Sequence, residues 1–353
     1  MNSGLGEQLR KLDGPVLVTG HTGFKGTWLT LLLEQLGVPA VGLSLPPEEG
    51  SLYQRLNREG LNEEIFADIR NFESVNKFIK EKQPAAVINM AAQPLVMESY
   101  ITPRETFETN VMGTVNVLDS SFATKSVKAI IAVTTDKVYK NDNSGQLFKE
   151  NDPLAGKDPY SASKVGSESA IAAWQQITRV QGGPPVVSVR AGNVIGGGDW
   201  AENRLLPDLI RGFISEKPIP IRNPNSTRPW QHVLDPLLGY VMVLEAVLAG
   251  QNIEAMNFGP DDKSISVKEV VEICASVWSP AGGIKFEYET NSEGIEAVNL
   301  DLDSSLARNK LGWSPKWNQI EAASSTTTWW KNVYSGNISA DDACLIDIKK
   351  VLS

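Results

Sequence analysis

The chain has 353 residues, 41% of them hydrophobic, enough to bury one large core or two closely joined ones. Its formal charge of −9, from 42 acidic against 33 basic residues, argues against nucleic acid as the main partner, because a phosphate backbone calls for a basic surface. Two cysteines, Cys274 and Cys344, and two histidines, His21 and His232, make neither a disulfide framework nor a zinc cluster, so no metal is expected.

Residues 1–14 are polar and lack the apolar centre of a signal peptide. The most apolar helical stretch, Thr27 to Gly37, is interrupted by Glu34 and is too short to cross a bilayer. A soluble cytoplasmic protein without a membrane partner is the expectation.

Apolar runs alternate with helical patterns along the first half. Strands are predicted over 15–19, 40–44, 63–68, 85–89, 128–133 and 186–190. Helices are predicted over 26–37, 72–82, 106–125 and 159–179, the first of them closed by Gly37 at its C-terminal cap. Short continuous β-branched runs separated by helices imply a parallel sheet covered on both faces, a doubly wound α/β fold. After Arg190 the glycines at 196–198 and the prolines at 207, 218, 220, 224 and 229 break the pattern. The stretch 191–234 therefore reads as an insertion carrying specificity. Leu237 to Ala249 reads as a helix returning to the main body, and 267–277 and 304–311 as helices of a smaller C-terminal lobe. No internal repeat or low-complexity segment is present.

Three places carry chemistry. The first is Gly20-His-Thr-Gly23-Phe-Lys-Gly26, between a predicted strand and a predicted helix. Glycines there let the backbone turn tightly and approach a pyrophosphate seated on the helix N-terminus. The spacing is G-x-x-G-x-x-G, and Ser44 stands at the end of the second strand where an acid would grip the adenosine ribose. No arginine replaces it, so these residues leave NAD and NADP open. Asp68 and Ile69 after the third strand are positioned to meet the adenine, or Asp68 is simply a loop acid.

The second place is Tyr160-Ser-Ala-Ser-Lys164 at the start of a predicted helix. Tyrosine and lysine four apart share a helical face, and a cation beside a phenol lowers its pKa and lets it take a proton from a hydroxyl. The third is Thr134-Thr-Asp-Lys137, which ends the strand over 128–133 with two hydroxyls, a carboxylate and an amine. Alone, that tetrapeptide would be a solvated turn.

G-x-x-G-x-x-G followed by Y-x-x-x-K resembles the extended short-chain dehydrogenase/reductase superfamily. Longer stretches, GHTGFKGTW (20–28), AAQPLV (91–96), RAGNVIGGGDW (190–200) and RPWQHVLDP (228–236), resemble its CDP-glucose 4,6-dehydratase branch, and the likeness extends to LGWSP (311–315). The resemblance covers about residues 12–335.

It implies a Rossmann-type domain over 1–190 with 235–255 returning to it, a sugar-nucleotide lobe over 191–234 and 256–340, and a tail over 341–353. It implies NAD as cofactor, CDP-glucose as substrate and a homodimer built on the helices 106–125 and 159–179. By the same resemblance Thr135 would hydrogen-bond the C4 oxygen, Asp136 would protonate the departing C6 hydroxyl and Lys137 would be the C5 base, with Tyr160 and Lys164 the redox pair. Lys137 stands where related dTDP-glucose dehydratases carry glutamate; a lysine base must be partly neutral, so burial beside Lys164 is expected of it.

The cofactor would be lined by Gly20, Thr22, Gly23, Phe24, Lys25, Gly26, Asp68, Ile69, Ala91, Ala92, Gln93, Asn110, Tyr160 and Lys164, with Thr19 nearby. Asn110 is equally readable as a buried structural amide. Substrate contacts would come from Gln93, Asn193, Arg204, Leu205, Arg228 and His232, arginines being suited to a diphosphate. His232 is also readable as a packed histidine, and Trp200 and Trp230 as pocket walls or as core. The alternatives are another extended-family enzyme, either a 4-epimerase or a dehydratase of a different nucleotide sugar, and a non-catalytic dinucleotide-binding protein.

Overall fold

A computed structural model describes residues 4–56, 63–289 and 300–353. Residues 1–3, 57–62 and 290–299, which belong to the segments assigned above, lie outside the described residues. The central sheet has seven strands: β1 (Val16–Thr19), β2 (Ala40–Ser44), β3 (Glu64–Phe66), β4 (Ala86–Asn89), β5 (Ala129–Val133), β6 (Val186–Ala191) and β7 (Ala255–Phe258). All are parallel, in the order β7-β6-β5-β4-β1-β2-β3. That is the doubly wound arrangement expected from the sequence. The order reverses between β1 and β4, and a crevice opens there beyond the C-terminal ends of the strands.

Alternation along each strand divides the core between the two faces. Val16 and Val18 of β1, Ile131 of β5 and Val187 of β6 pack with Trp28, Leu32 and the Leu234–Leu248 helix. Leu17, Ile130 and Val186 point the other way, onto Val117, Leu118 and Ile171. Burying apolar surface on both faces contributes roughly 25 cal/mol per Å², which is why these strands read as unbroken hydrophobic runs.

Several boundaries differ from expectation. The first long helix spans Phe24–Gln35 and starts before Gly26, because Gly23 is its N-cap. The helix expected over 106–125 is three pieces: Pro103–Phe107, a π-helical turn Glu108–Met112 and Gly113–Phe122. β7 straddles the assigned boundary at 255/256; the parallel edge it forms with β6 joins Met256 to the main sheet. The segment set apart as a tail forms the helix Ala340–Leu352, whose Ala343, Cys344, Ile348 and Val351 are buried in the main core.

The insertion over 191–234 is also ordered. It contains the helix Leu205–Ser215, and its strand Ile219–Arg222 pairs with Phe286–Glu289. No described helix is long and apolar enough to cross a membrane.

Candidate active site

The glycine loop after β1 is built by steric exclusion. A Cβ on Gly26 would come within 2.0 Å of the Gly20 carbonyl oxygen, and one on Gly20 (φ +72°) would meet Ala91 at 2.9 Å. Glycine's lack of a Cβ is therefore required at both positions. No side chain caps the helix at Gly23, so its first N–H groups face the crevice with the positive end of a 12-residue helix behind them. This cradle fits the pyrophosphate of a dinucleotide.

Around it, Thr19 Oγ1 donates to Asn89 Oδ1 at 2.6 Å and accepts from the backbone N–H groups of Met90 and Ala91, locking β1 to β4 across the reversal point. Ala92 and Gln93 follow directly in the chain. The hydroxyls of Thr22 and Ser44 lie 2.7 Å apart, and Thr22 also donates to the Leu45 carbonyl, so Ser44 is tied to the loop. Asp68 is held by Arg70 through both its backbone N–H and its guanidinium. Burial opposes ionisation of Asp68, but the Arg70 hydrogen bonds outweigh it and lower the pKa. Ile69 is buried beside Gly113, where a Cβ would overlap its Cδ1 at 2.4 Å. Phe24 packs against the main core.

Asn110 sits in the π-turn, fully buried. Its Oδ1 accepts from the Gln93 N–H at 2.8 Å, and its Nδ2 donates to the Gln93 carbonyl and to Ser163 Oγ. It is thus the amide that ties the Gln93 loop to the tyrosine helix. The widened turn aims it there, as π-turns at functional sites often do.

Tyr160 and Lys164 lie in the first turns of the helix Pro159–Gln181, started by an Asp158–Ser161 capping box with proline at its first position. Both side chains are buried. The phenol lowering expected of Lys164 is absent: burial pushes Tyr160 up to about 12, opposed first by a hydrogen bond with Thr135. Burial also lowers Lys164 to about 8, Glu168 acting in the opposite sense, and its Nζ donates to the Val133 carbonyl at 3.2 Å.

The tetrapeptide after β5 faces this helix. Thr135 donates to Asp136 Oδ1 at 2.9 Å. Asp136 is only 4% exposed, and burial raises its pKa to about 6, against the charges of Lys137 and Arg228. Gly192 makes room for this carboxylate, since a Cβ there would lie 2.9 Å from Oδ2. Lys137 is only partly buried, contrary to the burial expected of it.

Lys25 also reaches the cluster. Its Nζ donates to the Tyr240 hydroxyl at 2.8 Å, and burial followed by the Lys164 and Arg204 charges lowers it to about 7. Arg204 pairs with Asp199 at 3.1 Å and carries an electrostatic interaction with Tyr160. Tyr240, Glu168 and Arg190 escaped the sequence reading. Glu168 was signalled by its place four residues after Lys164, on the same helical face.

Other expected contacts are placed differently. The Asn193 carbonyl accepts the Gln231 N–H, which joins two short strands. Leu205 begins the helix Leu205–Ser215 and packs against the main core. Arg228 hydrogen-bonds the Thr227 carbonyl and acts on Asp136.

His232 is the clearest correction. It is fully buried, stacked 4.0 Å from Trp317, edge-on to Trp28 and 3.4 Å from Asp347, so no substrate reaches it. Trp230 is core, and Trp200 packs tilted against Trp330, beneath the Arg55 and Arg211 guanidiniums.

Comparison with known proteins agrees with this geometry. The chain is 41% identical over 325 residues to the CDP-glucose 4,6-dehydratase of Salmonella typhimurium, covering 90% of each. It is 28% identical to a dTDP-glucose 4,6-dehydratase of Xanthomonas campestris, over 89% of this chain and 92% of that one. Its fold matches the crystal structure of the Bacillus anthracis dTDP-glucose 4,6-dehydratase in complex with NAD, with a TM-score of 0.75, 23% identity, and coverage of 90% and 97%. Residues 16–259 match the NAD dependent epimerase/dehydratase family as a whole. The glycine cradle, the tyrosine–lysine pair and these matches together place the chain in the NAD dependent epimerase/dehydratase family.

Proposed function

We propose that the protein is a sugar-nucleotide 4,6-dehydratase that converts CDP-glucose to CDP-4-dehydro-6-deoxyglucose and water. The observation that carries this reading is Asp136. It is a buried carboxylic acid, titrating near 6, on the same turn as an amine and beside the tyrosine–lysine pair. A 4-epimerase needs no acid for a departing hydroxyl, whereas a dehydratase does. The 41% identity to the Salmonella enzyme supports CDP-glucose as the substrate.

NAD bound at the glycine cradle would supply the hydride acceptor for C4 and the hydride donor for C6. The chain's own residues move the protons. Thr135 orients the C4 oxygen, and Tyr160 takes the C4 hydroxyl proton. Tyr160 accepts that proton only as phenolate, and Lys164, still charged at neutral pH with a pKa of about 8, offsets the phenolate's charge before the proton arrives. The resulting ketone acidifies C5. Lys137, as the neutral amine, removes the C5 proton, Asp136 delivers its proton to the C6 hydroxyl, which leaves as water, and Lys137 returns the proton to C5 once C6 is reduced. A carboxyl with a pKa of about 6 keeps roughly a tenth of its molecules protonated at pH 7. Gln93, Arg204 and Arg228 are assigned to the nucleotide sugar, Arg228 being the arginine that acts on Asp136.

Hexoses carried on CDP, dTDP, GDP and UDP and labelled with deuterium at C4 test the reaction and the nucleotide together. Label recovered at C6 of a 4-keto-6-deoxy product from the CDP sugar is expected. No turnover with any of the four sinks the proposal.

The same reading includes a cytoplasmic homodimer. Tyr100, Ile101, Phe107 and Met112 leave apolar side chains in water beside the π-turn, Ile101 at 76% exposure, and a second copy would cover them. Light scattering should give twice the chain mass, and Ile101→Glu should shift it toward the monomer.

A further inference from the structure

The turn that carries the acid and the base is gripped at both ends by the two halves of one buried ion pair. Glu168 and Arg190 form a two-pronged pair, Nε to Oε1 at 2.7 Å and Nη2 to Oε2 at 2.8 Å, with both side chains nearly sealed from water. Oε1 of Glu168 also accepts from Thr134 Oγ1 at 2.5 Å and from Ser188 Oγ at 2.7 Å. At the far end, Arg190 Nη1 donates to the Tyr139 hydroxyl and to the Glu150 carbonyl, both at 2.8 Å. Tyr139 in turn donates to Asn257 Oδ1 of β7 at 2.7 Å. Between the two grips lie Thr135, Asp136 and Lys137.

Such a pair is an expensive way to hold a core together, since desolvating two charges offsets most of their attraction. It is an effective way to hold a register, because a planar guanidinium and a carboxylate admit few geometries. Glu168 belongs to the helix of Tyr160 and Lys164, four residues beyond the lysine, while Arg190 belongs to β6. The pair thus ties the proton-transfer turn to the redox helix through two side chains nearly sealed from solvent.

We propose that Glu168 and Arg190 are positioning residues which, through Thr134 and Tyr139, hold the Asp136–Lys137 turn in register with Tyr160, so that elimination keeps pace with oxidation at C4. This rests on the dehydratase reading above.

Thr134→Val and Tyr139→Phe each remove one grip and leave both charges paired. Each variant, loaded with NAD, is mixed with CDP-glucose. Absorbance of reduced nicotinamide reports oxidation, release of the dehydrated ketone reports elimination, and thermal melting reports the fold. A small displacement of a reacting group can cost up to about a hundredfold in rate. Elimination should therefore fall about ten- to a hundredfold while oxidation stays within about threefold of wild type, so that reduced cofactor accumulates. Thr134→Ser, which keeps the hydroxyl, should restore elimination.

Equal losses in both steps that track the fall in Tm would overturn the proposal, as would variants that eliminate at the wild-type rate. Should the unaltered enzyme dehydrate none of the nucleotide hexoses, the dehydratase reading falls instead.

Discussion

The glycine loop and the turn after β5 lie at the ends of two strands with β4 between them, yet they are made of different material. The loop is backbone: three glycines and an uncapped helix terminus. The turn is side chain: Thr134 to Tyr139, held by residues drawn from a helix and two other strands. A site made of backbone depends on local spacing and tolerates no added atom. A site made of side chains depends on distant partners, and each of its groups can be altered singly.

Four predictions set that contrast to work. The largest effect is expected from Gly26→Ala, whose Cβ would lie 2.0 Å from the Gly20 carbonyl. Displacing that loop should cost about 3 kcal/mol or more of stability and abolish NAD binding, read by calorimetric titration and thermal melting. Tight NAD binding by this variant would show that the cradle is not the cofactor site.

Lys137→Met comes next. Elimination should fall by about a hundredfold or more, while bound NAD is still reduced by substrate. A variant that releases product normally would remove Lys137 from the mechanism.

Asp136→Asn should slow elimination about a hundredfold and raise stability at neutral pH. The sign follows from the raised pKa. Protonated Asp136 stabilises the fold fully below its ordinary value of 3.8, and that contribution is lost as pH rises through about 6. The asparagine variant should thus gain up to about 3 kcal/mol over wild type above that range and nothing at pH 3.5, measured by urea unfolding at several pH values. In the Lys137→Met background, with the amine base removed, the residual elimination should weaken about tenfold per pH unit above about 6 as the acid ionises. A flat profile between 6 and 8 would exclude Asp136 as the acid.

The smallest functional effect is expected from His232→Ala. Stacked on Trp317 and facing Asp347, this ring should cost about 2 kcal/mol in stability when removed and leave the KM for the nucleotide sugar unchanged. A raised KM at unchanged Tm would return His232 to the substrate site.

What could be read from the sequence divides along the same line. Strand and helix periodicity, the G-x-x-G-x-x-G spacing and the Y-x-x-x-K pair are local patterns, and each was found within a few residues of its place. The span 106–125 has the pattern of one continuous helix because a π-turn inserts a residue without disturbing composition. His232 was readable two ways, and only the fold sets Trp28, Trp317 and the C-terminal helix around it.

By itself the sequence determined a parallel doubly wound sheet and a dinucleotide loop, because β-strand runs and glycine spacing act over a few residues. Tertiary structure alone decided that Asp136 is buried enough to hold a proton near pH 6, that Lys137 is not buried, and that Glu168 and Arg190 clasp the turn between them. Desolvation and ion pairing depend on which distant chain segments fold over a group, and no local pattern contains that information.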